Sequence, residues 1–72
     1  MKKTKKIKIN LNGKSLFLPK GTSIYKIIIK NKLQPNKIAI ELNKEIIKKN
    51  KISKIFLKNN DRIEIVQFIG GG

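Results

Sequence analysis

With neither cysteine nor histidine, this chain has few side chains that can do chemistry. The usual general base and the commonest zinc ligand are both missing, and thiolate metal sites and disulfides are excluded with them. Four side-chain carboxylates remain: Glu41, Glu45, Asp61 and Glu64. Glu41 and Glu45 stand on either side of a turn, and Asp61 and Arg62 fall where a turn runs into a strand, so a solvated surface is the expectation for each. Gly72 offers one more carboxylate, at the end of Gly70-Gly71-Gly72. Glycine has no Cβ and reaches φ values closed to other residues. Such a tail can thread a narrow channel and present its carboxylate to another protein's active site. A frayed end is the plain alternative, and the strand in front of the tail is what weighs against it.

The 72 residues make one small domain. A chain of that size buries only about 60% of the surface its unfolded form exposes, so every apolar residue is needed. The net charge of +14 raises the question of a polyanionic partner. A nucleic-acid binder clusters its charge and interleaves aromatics. Here lysines run from Lys2 to Lys58, with Phe17, Tyr25, Phe56 and Phe68 the only aromatics. Lysine, isoleucine and asparagine dominate surface and core positions alike, as a bias toward A/T-rich codons would produce. No specific nucleic acid is expected as a partner. Met1–Lys6 has the charge of a signal peptide's start, but Lys8, Asn10 and Asn12 interrupt any apolar stretch behind it. No segment approaches membrane-spanning length. The expectation is a soluble, cytoplasmic protein with no membrane partner.

Ile7, Ile9 and Leu11 alternate with Lys8 and Asn10, the pattern of a half-buried strand. Asn12-Gly13 then signals a type I′ hairpin, and Ser15–Leu18 returns with Leu16 and Leu18 inward and Phe17 outward. Thr22 or Ser23 caps a helix expected over 23–32, with Ile24, Ile27 and Ile28 on its buried side; Tyr25 is expected to pack with it. Gln34-Pro35-Asn36 reads as loop. Ile38–Leu42 is a strand with Ile38, Ile40 and Leu42 inward, Asn43-Lys44 a tight turn, and Glu45–Ile47 a short pairing strand. Lys48–Ser53 reads as loop or a single turn, pinned by Ile52, Ile55 and Leu57. Asn59-Asn60-Asp61 turns into a last strand from Arg62 that runs on through Gln67 and Phe68 to the glycines. These elements imply an α+β arrangement: a mixed sheet with one helix across one face.

Four stretches resemble the sulfur carrier proteins of thiamine biosynthesis. Ile9–Gly13 is similar to the family's opening hairpin and Leu18–Ile24 to its lead into the helix. Ile38–Ile47 is similar to the central hairpin. Asn60–Val66 followed by Ile69–Gly72 is similar to its end. Together they span nearly the whole chain in the family's order. Lys44 and Asn60 stand where the family usually has glycine, and the chain is more basic than is usual.

The resemblance implies a ubiquitin-like β-grasp fold filling residues 1–72, with 1–5 a basic leader open to disorder and 69–72 a flexible glycine tail. It implies a carrier and not an enzyme. An ATP-dependent, E1-like activating enzyme would adenylate the Gly72 carboxylate, and sulfur from a persulfide-bearing partner would replace AMP to leave a thiocarboxylate. Thiazole synthase would take that sulfur. The chain itself would bind no cofactor, and the ATP would belong to the activating enzyme. Gly70 and Gly71 would let backbone approach backbone in the partner's channel. Ile69, Val66 and Phe68 are expected to dock beside the tail, with Phe17 and Ala39 candidates for the same helix-free face. The small subunit of molybdopterin synthase or another ubiquitin-like sulfur carrier is the alternative, and a basic RNA-binding module a more distant one.

Overall fold

In the computed structural model, residues 5–68 are described. The expected glycine tail, Ile69 with it, and all of the leader except Lys5 lie outside the described residues. The Lys5 carbonyl accepts a hydrogen bond from the Lys20 N–H at 2.8 Å.

Period-2 patterning and turn chemistry place the strands as expected, except that the last, expected to run on through Phe68, ends at Gln67. β1 (Lys6–Leu11) and β2 (Lys14–Pro19) form an antiparallel hairpin in which Ile7 faces Leu18 and Ile9 faces Leu16. Asn12 and Gly13 between them have φ values of 50° and 87°, the left-handed pair that a type I′ turn requires. β3 (Ile38–Leu42) and β4 (Glu45–Ile47) form the second hairpin across Asn43 and Lys44, with φ values of 51° and 72°. β5 (Arg62–Gln67) enters between the hairpins, parallel to β1 and antiparallel to β3. The sheet order is β2-β1-β5-β3-β4.

α1 (Ile24–Lys30) crosses one face. Of the two cap candidates Ser23 is the one used: its Oγ accepts from the Lys26 N–H at 3.1 Å, while the Thr22 hydroxyl donates to the Pro19 carbonyl. The helix stops short of the expected residue 32 because Lys32 turns left-handed at φ 58°. The Leu33 N–H then reaches the Ile28 carbonyl and the Lys32 N–H the Ile29 carbonyl. That pair of bonds is a Schellman stop, which satisfies the helix's last carbonyls. Pro35–Lys37, expected as loop, closes a single 3₁₀ turn through the Lys37 N–H and the Gln34 carbonyl. The run read as loop or a single turn does hold one 3₁₀ turn, at Lys49–Lys51.

The core between helix and sheet is aliphatic. Ile24, Ile27 and Ile28 pack with Ile7, Ile9, Leu18, Ile38, Ile40 and Ile63, and Ile52 and Leu57 close the end under the β4–β5 connection. Burying a side chain of this size contributes about 1.5–3 kcal/mol, so this one cluster carries the fold. Tyr25 is not part of it: the ring is exposed on the outer side of the helix, because the buried stripe runs through Ile24, Ile27 and Ile28 and leaves position 25 facing out.

Candidate functional site: the helix-free face and the end of the last strand

β5 is the strand that leads toward the glycines, and its side chains alternate. Ile63 is fully buried under the helix, so Arg62, Glu64 and Val66 emerge on the opposite, helix-free face. Val66 and Phe68 are exposed there and just beyond, at 59% and 46%. Ala39 lies directly across from Val66 on β3, and is also exposed. The end of β5 is held to β3 by the strand pairing and, past it, by the Phe68 N–H, which donates to the Lys37 carbonyl at 2.8 Å. Val66 and Ala39 are therefore neighbours on the helix-free face, with exposed Phe68 two residues further along at the same end.

Phe17 does not join them. It pairs with Lys8 on β1, and β1 meets β5 with Asn10 level with Arg62. Counting residues along the strands, Phe17 sits six positions before Val66, roughly 20 Å at about 3.3 Å per residue. It shares the face but not the corner. Sequence reasoning also missed a residue. Ile46, 76% exposed, lies across from Glu41 on that same face. The signal was available: Ile47 pairs with inward-facing Ile40, so alternation turns Ile46 outward.

The carboxylates are arranged by the same register. Glu41 lies directly across from Glu64 on the helix-free face, whereas Glu45 lies across from Leu42, which packs on the core side. Glu41 and Glu45 thus form no acid–base pair. Asp61 is committed to its turn: one oxygen accepts from the Lys58 N–H at 2.8 Å and the other from the Asn43 side-chain amide at 3.0 Å. Among the described residues no group of three or more acidic residues could hold a metal ion. No helix of the described residues is long and apolar enough to cross a membrane.

A five-stranded mixed sheet in this order, grasping one helix and ending on a central strand with an exposed apolar corner, defines a ubiquitin-like β-grasp protein. The same fold is seen in the crystal structure of the thiamine biosynthesis protein ThiS from Geobacter metallireducens, with a TM-score of 0.76 and 23% identity, covering 92% of this chain and 100% of that one. The ThiS family model matches residues 4–72. The sulfur carrier protein ThiS of Bacillus subtilis is 42% identical over 65 residues, 89% of this chain and 98% of that protein. A thiazole synthase of Magnetococcus marinus is 35% identical over 66 residues, which are 92% of this chain and 20% of the synthase. The chain therefore belongs to the ThiS family, and with it to the sulfur carriers of thiamine biosynthesis.

Proposed function

We propose that this chain carries sulfur as a thiocarboxylate on Gly72 and delivers it for thiazole formation. The observation that carries this reading is the family match, which runs through all three glycines to residue 72. The chemistry suits the residues. A free carboxylate is a poor acyl donor, and an acyl-adenylate has a good leaving group. With no cysteine in the chain, any acyl disulfide formed on the way uses a partner's thiol. The chain supplies the acyl group and its presentation, and acts as a carrier rather than a catalyst. It binds no cofactor of its own, and the ATP is consumed by an E1-like adenylating partner. A persulfide-bearing enzyme supplies the sulfur: its terminal sulfur displaces AMP to give an acyl disulfide, and a second thiolate, from a partner or a thiol reductant, cleaves the S–S bond, releasing the thiocarboxylate and leaving a disulfide.

Thiazole synthase is the proposed acceptor. The similarity to a fifth of a synthase's length supports this, since a carrier-like segment is there joined to the enzyme it would serve. Val66, Phe68 and Ala39, with Ile46 beside them, form the proposed docking corner, and Ile69, Gly70 and Gly71 lead from it into the partner's channel.

ATP–pyrophosphate exchange with the host's adenylating enzyme tests the reading. The full chain should support exchange, and a chain lacking Gly72 should not. Mass spectrometry of the protein from sulfur-replete cells should then show sulfur replacing oxygen at Gly72. Exchange that persists without Gly72 rejects that carboxylate as the reactive group.

A further inference from the structure

β1 runs out of backbone before β5 does. β1 ends at Leu11, the partner of Ile63, and the chain turns away at Asn12-Gly13, while β5 continues to Gln67. The parallel ladder between them includes the Asn10 N–H donating to the Asp61 carbonyl and the Asn12 N–H donating to the Ile63 carbonyl, both at 2.9 Å. The next rung needs an acceptor for the Ile65 N–H and a donor for the Ile65 carbonyl. Backbone that has already turned cannot supply them.

The Asn12 side chain supplies both. Its Oδ1 accepts from the Ile65 N–H at 2.8 Å, and its Nδ2 donates to the Ile65 carbonyl at 3.2 Å. A carboxamide carries the same donor and acceptor as a peptide group, so it stands in for the missing strand. The turn leaves it free to do so: the Gly13 N–H is already taken by Asn10 Oδ1 at 2.8 Å. Aspartate in this place lacks the donor, and glycine lacks both groups.

We propose that the Asn12 carboxamide is a positioning group for the carrier's terminal reaction, an inference that rests on the carrier reading above. On its other side β5 is paired with β3 as far as Gln67, and the Phe68 N–H reaches Lys37. Asn12 ties the same stretch on the side β1 cannot reach. It thereby fixes where Val66 and Phe68 stand and the point from which the chain continues to residue 69. Without it, residues 65–68 are an edge held on one side only. The fraction of molecules with docking corner and tail in register falls, and apparent affinity falls by the same fraction.

The test uses the full chain with Asn12→Gly and with Asn12→Asp. Glycine keeps the left-handed turn and deletes both bonds; aspartate keeps the acceptor and sets a second oxygen against the Ile65 carbonyl. Amide hydrogen exchange by NMR reads the rung, and ATP–pyrophosphate exchange against carrier concentration reads positioning. In the glycine variant, which loses the acceptor, the Ile65 amide should exchange at least about tenfold faster; in both variants KM should rise roughly three- to tenfold with kcat unchanged. The assay is run where circular dichroism shows the variants folded, so that lost stability does not pass for a KM effect. Should the glycine variant fail to fold, KM in the aspartate variant decides the positioning role, since that variant lacks the donor to the Ile65 carbonyl. Unchanged Ile65 exchange in the glycine variant overturns the rung. Faster Ile65 exchange with unchanged KM overturns the positioning role while leaving the carrier reading intact. No exchange with the unsubstituted chain sinks the carrier reading, and the positioning role with it.

Discussion

Phe17 and Phe68 are both exposed aromatics on the helix-free side of one sheet, yet their surroundings differ. Phe68 follows Val66, which faces Ala39, with Ile46 one strand further out. Phe17 stands at the β2 edge, across from Lys8 and between Ser15 and Pro19 in its own strand's alternation. The first is one of several apolar side chains at the end of the strand that leads to the glycines. The second is a single apolar residue of the kind that surfaces commonly carry. Sharing a face is therefore too coarse a criterion for a docking site. The register between β1 and β5 splits the face into a tail end and a far end.

That division can be broken by substitution. Phe68→Asp, and Val66→Asp beside it, should give the largest effect: a rise of about tenfold or more in KM for the carrier in ATP–pyrophosphate exchange, as desolvating a charge at the centre of an interface demands. Ile46→Asp, two strands away across β3, should raise KM about threefold, the size of a contact at an interface rim. Phe17→Asp should leave KM within about twofold. Thermal melts establish that each variant is folded. Equal effects from Phe17→Asp and Phe68→Asp would show that the partner covers the whole face, and the split would then mean nothing for docking.

Much of the fold was legible because it is written locally. The alternation of Ile7, Ile9 and Leu11, the Asn12-Gly13 turn and the Ile24, Ile27, Ile28 spacing each fall within a few residues of one another. The candidate corner was legible in part: Val66 pairs with Ala39 at the end that leads to Phe68, but Phe17 stands apart. Its place depends on Asn10 aligning with Arg62, a pairing across most of the chain that no local pattern encodes. The same holds for the Asn12 carboxamide, whose partner is Ile65. The sequence shows a good turn residue there and gives no sign that its side chain has a second task. The early end of α1 was hidden for another reason. Lys32 occupies a left-handed position where glycine is the common signal.

The two hairpin turns bring out the same point at a smaller energy. Both are left-handed pairs opened by asparagine, and both asparagines hold β5. Asn12 takes Ile65, and Asn43 takes the Arg62 N–H on its Oδ1 at 2.9 Å while donating from its own N–H to the Arg62 carbonyl. The second positions differ, glycine in one turn and Lys44 in the other, at φ 87° and 72°. Asparagine at the first position serves backbone conformation and side-chain bonding together, so glycine cannot replace it without loss. At the second position only conformation matters. An added Cβ at Gly13 meets nothing within 4 Å, so the cost of a side chain there is backbone strain alone. Lys44→Gly should therefore stabilise the fold by about 1 kcal/mol, because a left-handed residue with a Cβ costs about 1–2 kcal/mol and glycine's extra unfolded-state entropy returns part of it. Gly13→Lys should destabilise by a similar amount. Urea unfolding of the two variants measures both. If Lys44→Gly proves destabilising instead, Lys44 makes a contact that the turn geometry does not require, and codon bias no longer explains its presence.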